Sequence, residues 1–349
     1  SNDSDENPYA IILNGSAGGS NPDDYLAAHW KLDEGAVNPS RTLMDSSGNE
    51  NTGTLVGGQT DADFVAGLSG TALNFDGRDD YAIKSLPSFI DDTQGSVSLW
   101  VKLDTLAMYQ ALWSTSMDGI FAGADEFIFY LKTDNSLRLR LNLVGITAMD
   151  LDTDTNIITD TDWHHIAVTS DGSIIKLYLD GVEKTFTATA GSNTGQWFAS
   201  ANNINVFSIG GLIEDALYIP LDGALDDVRF YSTALSGTQI VTLYRDFVAP
   251  EIHVKQGVQD RVNNSVIDLG MVDLRSSVDI TLDIYNEGNG DLLLTNAIPV
   301  TISGPNAEDA RVITQPASTI IPGNSSPATL RFTPTSVGVK AAHVTIASN

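Results

Sequence analysis

Apolar and polar residues alternate along this chain with a period of two far more often than with the period of a helix. In Val97-Ser98-Leu99-Trp100-Val101-Lys102-Leu103 the odd positions place Val97, Leu99, Val101 and Leu103 on one face. Leu137, Leu139, Leu141 and Leu143 alternate with Ser136, Arg138, Arg140 and Asn142, and Ile175, Leu177 and Leu179 repeat the pattern. Clusters of Gly, Asn and Asp separate these short runs, which predicts an all-β sandwich. One segment, Ser236 to Tyr244, predicts a short helix after the last strand, with Ser236 capping its first turn and Ile240, Leu243 and Tyr244 docking on the sandwich. Ala249-Pro250 marks a boundary. Beyond it Val278, Ile280, Leu282 and Ile284 alternate into Tyr285-Asn286-Glu287-Gly288-Asn289-Gly290, and later come Ile321-Pro322-Gly323, Leu330-Arg331-Phe332-Thr333-Pro334, Gly338, Val344 and Ile346. This stretch reads as a second β domain.

With 349 residues the chain is long enough for two or three domains, each with its own core. Its 18 basic residues stand against 45 acidic ones, a net charge of −27. Such a surface repels nucleic acid and acidic lipid, because phosphate binding needs clustered Lys and Arg. It suits a solvated extracellular protein, one from a saline habitat, or one that binds divalent cations. There is no cysteine, so no disulfide framework is expected. No stretch approaches the apolar length of a membrane span, no leader pattern is seen, and the chain reads as part of a larger exported protein.

Four ordered motifs carry a resemblance. Trp163-His164-His165-Ile166-Ala167-Val168-Thr169 is followed by Leu177-Tyr178-Leu179-Asp180-Gly181, and the pair sits between Phe75-Asp76-Gly77-Arg78-Asp79-Asp80-Tyr81 and Gly223-Ala224-Leu225-Asp226-Asp227-Val228-Arg229-Phe230-Tyr231. Together they resemble the laminin-G-like jelly-roll family, whose sandwich is shared with concanavalin-type lectins and pentraxins. The resemblance implies a concanavalin A-like jelly roll over residues 25–247. The motifs of 250–349 resemble the immunoglobulin-like modules of the Hydin and choice-of-anchor D type, which recur as spacers in large bacterial surface proteins. Such modules close with a strand after a Ser-Asn-Asp segment. This chain ends at Ala347-Ser348-Asn349, whereas Ser1-Asn2-Asp3 leads into Pro8-Tyr9-Ala10-Ile11-Ile12-Leu13-Asn14-Gly15. The segment 1–24 is therefore expected to hold the last strand of an immunoglobulin-like module, able to pair with the C-terminal domain by strand addition; an ordinary leader strand is the alternative.

Reactive constellations are scarce. Jelly-roll glucanases carry paired carboxylates spaced along one strand, and no Glu-x-Asp-x-Glu arrangement occurs here. There is no cysteine nucleophile and no Gly-x-Ser-x-Gly elbow. His164 and His165 are neighbours on a strand, so they point to opposite faces and cannot chelate together. No catalytic residue is assigned. Calcium needs about six to eight oxygens, usually from loops. Comparison with pentraxins implies a site from Asp125 and Glu126, before Phe127, with Glu214 and Asp215, after Ile209-Gly210-Gly211; a solvated acidic rim is the alternative. A second cluster at motif positions comprises Asp45, Asp76, Asp79, Asp80, Asp226 and Asp227. Either a structural ion or turn capping accounts for it, with capping favoured for Asp76 and Asp227. Asp150-x-Asp152-x-Asp154-x-Asn156 has the odd-position oxygens of a calcium loop, yet lacks the glycine and glutamate such a loop needs, and reads as a polar strand edge.

Sugar recognition combines aromatic faces with polar groups that orient hydroxyls. Tyr109, Trp113, Trp197 and Phe198 lie in loop-like or strand-edge contexts and are the candidate ligand-binding aromatics, with Trp197 expected to be exposed; Trp30, Trp100 and Trp163 look like core positions. The first functional expectation is a non-catalytic, calcium-assisted module that recognises a polysaccharide or glycoconjugate on a bacterial cell surface or secreted protein. A spacer or adhesin repeat touching other surface proteins, and an accessory domain of a carbohydrate-active enzyme, are the alternatives. Neither nucleic acid nor membrane insertion is expected.

Overall fold

Residues 26–30 find their partner about two hundred positions away: Leu26–Trp30 runs antiparallel to Asp222–Tyr231, with Trp30 opposite Val228. This pairing draws the ends of one sandwich together. The computed structural model describes residues 21–38, 40–117, 125–202, 204–248 and 250–349. These fall into two compact units, one up to Tyr244 and one from Arg245 onward. The expected strand at residues 8–15 lies outside the described residues.

The larger unit is built from two antiparallel sheets. An eight-stranded sheet runs in the order Val182–Lys184, Ile175–Leu179, Trp163–Ser170, Gly95–Leu103, Asp222–Tyr231, Thr71–Asp76 and Phe64–Ala66, with Leu26–Trp30 also on Asp222–Tyr231. A nine-stranded sheet runs Thr187–Ala190, Ile146–Asp152, Leu137–Leu143, Glu126–Leu131, Gln110–Ser116, Val206–Ile209, Tyr81–Ser85, Gly53–Val56 and Thr42–Leu43. The predicted alternation is realised: Val97, Leu99, Val101, Leu103, Leu137, Leu139 and Leu141 all enter one continuous core.

Between the sheets an aromatic seam fixes their separation. Phe89 stacks on Phe230 with ring centres 4.5 Å apart, Phe207 meets Phe230 edge-on at 4.6 Å, and Trp30 meets Phe230 at 5.4 Å. Trp113 stacks on Phe129 and Phe207 at 5.7 and 6.0 Å. Offset and edge-to-face pairs of this kind add to the burial of their large surfaces.

Three of the aromatics expected at a ligand site therefore belong to the core. Trp113, Trp197 and Phe198 are each no more than 2% exposed. Trp113 occupies an inward position on Gln110–Ser116, next to a bulge. Trp197 and Phe198 lie in a loop with turn-like composition, but the open end of a sandwich must be plugged. The short 3-10 turn Phe198–Ser200 folds both rings inward, Trp197 against Phe127 at 6.0 Å and Phe198 against Trp113 at 5.8 Å. Gly95 makes room for them: a Cβ there would lie 2.5 Å from Trp197 Nε1.

The predicted helix forms at Gly237–Val248. Ser236 Oγ accepts from Gln239 N–H at 3.3 Å and Gln239 Oε1 accepts from Ser236 N–H at 2.9 Å, a reciprocal cap. Ile240 and Leu243 pack with Ala167, Tyr178 and Tyr231, and Tyr244 stacks on Trp100 at 5.6 Å. Hence part of the outer face of the eight-stranded sheet is covered. His165 lies beneath it, 1% exposed, with Nε2 2.8 Å from Ser98 Oγ, and burial holds its pKa down to about 4. His164 faces the other way and meets Asp180 and Asp160.

In the second unit Gln259–Asp260, Ile252–Gln256, Val278–Asn286, Ser325–Phe332 and Ala310–Thr314 form a five-stranded sheet, and Val300–Ser303 pairs with His343–Ile346. Leu282, Ile284, Ala328 and Leu330 from the sheet pack with Val300, Leu292, Leu294 and Ile320.

Because Trp197 is a packing residue, Trp197→Ala is expected to destabilise the larger domain by about 3–5 kcal/mol. Chemical denaturation monitored by fluorescence of the remaining tryptophans checks this; an unchanged midpoint would place the ring outside the core.

Candidate functional site on the nine-stranded sheet

While the helix packs on the eight-stranded sheet, the nine-stranded sheet turns a decorated face outward. Strand Leu137–Leu143 buries its leucines and projects Arg138 and Arg140 from the opposite side, as alternation requires. Register then sets the neighbours. Arg138 lies between Tyr130 and Asp152, Arg140 between Ile128 and Asp150, and Asn142 opposite Glu126.

A two-residue turn at Val144-Gly145, where both residues have positive φ (52° and 75°), closes the hairpin, and an irregularity between Leu141 and Asn142 then slips the pairing by one residue, which sets Arg140 opposite Asp150 and Arg138 opposite Asp152. Asp125 holds this turn: its Oδ1 accepts from Val144 N–H at 2.7 Å, and its Oδ2 accepts from Asn202 N–H at 2.6 Å. The carboxylate expected to bind calcium is thus spent on backbone amides, buried at 5% exposure.

Two forked ion pairs follow. Arg138 donates through Nε and Nη2 to Asp152 at 2.7 and 2.6 Å, and Arg140 donates through Nε and Nη2 to Asp150 at 2.7 Å each. Arg138 Nη1 also reaches Asp150 at 3.0 Å, Lys132 lies 3.4 Å from Asp152, and Thr189 Oγ1 donates to Asp152. Planar double hydrogen bonds of this kind hold the guanidinium groups in place on the sheet. Burial alone would raise the Asp152 pKa, but the hydrogen bonds from Arg138 and Thr189 outweigh it and hold the carboxylate below its ordinary range. Asp150 and Asp152, the calcium-loop-like run, are strand residues engaged by arginine.

Next to the ladder lies an aromatic step. The Arg140 guanidinium sits 6.0 Å from the Tyr130 ring centre, and the Tyr130 ring is 6.1 Å from that of Tyr109. Tyr130 is almost buried, with its hydroxyl pKa raised by that burial, whereas Tyr109 is half exposed. Farther along, the small hairpin Leu212–Ile213 with Leu217–Tyr218 folds over the sheet. Its backbone is held by Ser208 Oγ donating to Gly211 O at 2.8 Å and by Ser116 Oγ donating to Ile213 O. Leu212 packs on Ala111, Ile128 and Tyr130.

That hairpin delivers Glu214 to Glu126. Their carboxyl groups share a hydrogen bond, and burial together with the Glu126 charge pushes Glu214 up to about 7. Asn142 Oδ1 is buried close by with no hydrogen-bond partner among the described residues, while its Nδ2 reaches Glu126 Oε1 at 3.5 Å. Asp215 turns aside and accepts from the Tyr218 hydroxyl at 2.9 Å. Of the four acids expected to share an ion, two meet and two are engaged elsewhere.

The second acidic group divides as well. Asp45 accepts from the N–H groups of His29, Ser47 and Asn51 at 2.8–2.9 Å and caps a turn. Asp226 accepts from Leu68 N–H at 2.9 Å, and burial pushes its pKa up to about 7. Asp227 does not cap a turn; it pairs with His29 at 2.6 Å and Arg229 at 2.8 Å beneath the surface. Asp76 does cap one, accepting from Arg78 N–H at 2.9 Å. Asp76, Asp79 and Asp80 nevertheless converge, with carboxylate oxygens within 4.8 Å of one another. Burial, followed by the charge of Asp76, raises the pKa of Asp80, whose Oδ1 accepts from Gly58 N–H at 2.8 Å.

Tyr130, Arg138, Arg140 and Asn142 are not among the site residues expected from the sequence, and Asp150 and Asp152 enter there only as a calcium-loop-like run that reads as a strand edge. The signal lies in the Leu-Arg-Leu-Arg-Leu alternation and the Asp-x-Asp run on the next strand, which a two-residue turn at Val144-Gly145 followed by a one-residue slip in the pairing brings into register.

The comparisons bear on this unit. Among solved structures, domain 4 of an extracellular GH43 arabinanase from Geobacillus stearothermophilus, in complex with arabinotriose, is 24% identical, with a TM-score of 0.47 over 63% of this chain and 98% of that one. The CBM40 of the Ruminococcus gnavus IT-sialidase, bound to α2,3-sialyllactose, is 15% identical, with a TM-score of 0.41 over 50% of this chain and 95% of that one. A Trypanosoma rangeli sialidase in complex with 2,3-difluorosialic acid is 15% identical, with a TM-score of 0.45 over 68% of this chain and 35% of that one. These are likenesses of fold. No curated protein sequence matches the chain. Residues 75–241 match the model of the concanavalin A-like lectin/glucanases superfamily, and the all-β, two-sheet architecture of the larger domain is consistent with that jelly-roll fold.

Proposed function

We propose that the larger domain is a carbohydrate-binding module whose ligand lies on the outer face of the nine-stranded sheet, along Tyr109, Tyr130, Arg138, Arg140 and Asn142. The observation that carries this reading is the pre-set ladder of forked Arg–Asp pairs beside an exposed tyrosine ring. A pyranose has an apolar C–H face that packs on an aromatic ring and hydroxyls that need fixed donors and acceptors at its rim. Arginines already held by aspartates retain further N–H groups for hydroxyls and lose little freedom when they bind. The lectin/glucanase match over 75–241 supports the same ligand class.

Binding is favoured over hydrolysis. Glycosidase carboxyl groups stand about 5 Å or more apart, to flank the scissile bond. Glu126 and Glu214 are in hydrogen-bonding contact, too close for a sugar linkage to sit between them. The same pair suits a cation. Two carboxyl groups and the unpartnered Asn142 Oδ1 form an all-oxygen donor set of the kind calcium prefers. Calcium there would offset the burial and the Glu126 charge that hold a proton on Glu214 and would tie the hairpin at Leu212–Tyr218 to the sheet. No helix among the described residues is long and apolar enough to cross a membrane. The reading places the domain outside the cell, on a surface or secreted protein, where polysaccharides and glycoconjugates are met.

Two outcomes are expected. Glu214 has a folded pKa of about 7 against an ordinary 4.5, so its contribution to stability is full below 4.5 and is lost as pH rises through about 7. Calcium should reverse that loss: the rise in melting temperature on adding it should be larger at about pH 8 than at about pH 6, and absent in Glu214→Gln. An equal shift in the variant would put the ion elsewhere. For the ligand, Tyr109→Ala should weaken glycan-array or affinity-electrophoresis binding about tenfold or more with little change in melting temperature, since the ring is half exposed. Undiminished binding would remove this face from consideration.

A further inference from the structure

The cations of the Arg–Asp ladder turn their planar hydrogen-bonding forks toward protein. Arg138 donates Nε and Nη2 to Asp152 and reaches Asp150 with Nη1, while Arg140 donates Nε and Nη2 to Asp150. The third cation, Lys132, lies 3.4 Å from both Asp134 and Asp152. An arginine grips a carboxylate or sulfate best through this same double hydrogen bond. Two aspartates of the neighbouring strand already occupy it, so a charged group on a ligand finds the forks filled.

The balance of charge acts in the same direction. Lys132, Arg138 and Arg140 are matched by Asp134, Asp150 and Asp152, which leaves no surplus positive charge on the ladder. Glu126 lies opposite Asn142 on the same face, and Glu214 adds a second acid beside it. Calcium held there would cancel those two carboxylates and no more. The chain as a whole carries a net charge of −27. An acidic ligand approaching this face therefore loses hydration to a neutral or negative surface inside a repulsive field.

A neutral sugar meets the same groups differently. The carboxylate oxygens of Asp150 and Asp152 have further lone pairs that accept from hydroxyls, and the fixed guanidinium groups offer their remaining N–H groups to hydroxyl oxygens. Arg140 keeps 30% of its side-chain surface exposed and Arg138 17%, so a ligand can reach both. Neighbouring hydroxyls of one sugar ring, one donating to an aspartate and one accepting from its arginine, fit such a pair without any net charge. We propose that this face selects neutral glycans and rejects acidic ones, and that Asp150 and Asp152 set the specificity by occupying the arginine forks. This selectivity rests on the carbohydrate reading above and narrows its ligand to one charge class.

The test is a glycan array of neutral and acidic oligosaccharides, read with the full chain at low and high salt. It includes matched pairs: oligosaccharides of glucose, galactose or mannose beside the same molecules with C6 oxidised to a carboxylate. The wild type should bind the neutral member of a pair at least about tenfold more tightly at low salt, with the gap narrowing as salt screens the repulsion. Asp152→Asn and Asp150→Asn each release a fork and should raise binding to acidic members while weakening the neutral ones. Adding Arg138→Gln to Asp152→Asn should abolish that gain. A parallel loss toward both members, in aspartate variants that melt as the wild type does, overturns the role given to these residues. Equal or tighter wild-type binding to acidic members, weakened by Tyr109→Ala, overturns the proposal and leaves the carbohydrate reading in place. Binding to no glycan on the array, or binding that Tyr109→Ala leaves intact, removes that reading and the proposal with it.

Discussion

The interlocking of aromatic rings between the two large sheets is the constraint from which the rest of the larger domain follows. Phe89, Phe207 and Phe230 pack face and edge, with Trp30 and Trp113 at their flanks. Sheets that pack face to face sit about 10 Å apart, and large rings in fixed offset contacts leave little freedom in that distance. With the inner face fixed, every second residue of Leu137–Leu143 is anchored in the core, and the arginines between them are held outward with the same precision. The rigidity of the candidate site is thus inherited from packing on the far side of its own backbone.

Electrostatics work on this frame with few cations. The chain has 18 basic residues among 45 acidic ones, and Arg138 and Arg140 are concentrated on one strand where each is matched by an aspartate. Elsewhere acids without a cation partner meet one another or go underground: Glu214 against Glu126, Asp80 near Asp76 and Asp79, and Asp226 beneath the surface beside Asp227. Such arrangements raise carboxyl pKa values, and they are where a cation changes the energetics most.

Much of the architecture was legible because it rests on local rules. Strand alternation, the Ser236 cap and the opposite facing of His164 and His165 each depend on a handful of neighbouring residues. The misplacement of Trp113, Trp197 and Phe198 has a tertiary cause. A loop rich in Gly, Ser and Asn reads as exposed, yet this one closes the end of a sandwich and must bring rings into it. Asp125 and Glu126 read as a pair in the sequence, but adjacent residues in extended backbone diverge: Glu126 meets Glu214, while Asp125 holds the Val144 turn and Asn202. The Arg–Asp ladder needs a strand register that rests on two consecutive positive φ angles at Val144 and Gly145 and on a one-residue slip between Leu141 and Asn142, and neither valine nor the alternation gives warning of them.

The central claim is that ligands meet the outer face of the nine-stranded sheet. The most direct test is amide chemical-shift mapping of the isotopically labelled protein during titration with oligosaccharides that bind it. The account predicts shifts concentrated in Glu126–Leu131, Leu137–Leu143 and the residues around Tyr109. Shifts confined to the turns at Asp76–Asp80 or Asp45–Asn51, with the arginine ladder unmoved, would contradict it.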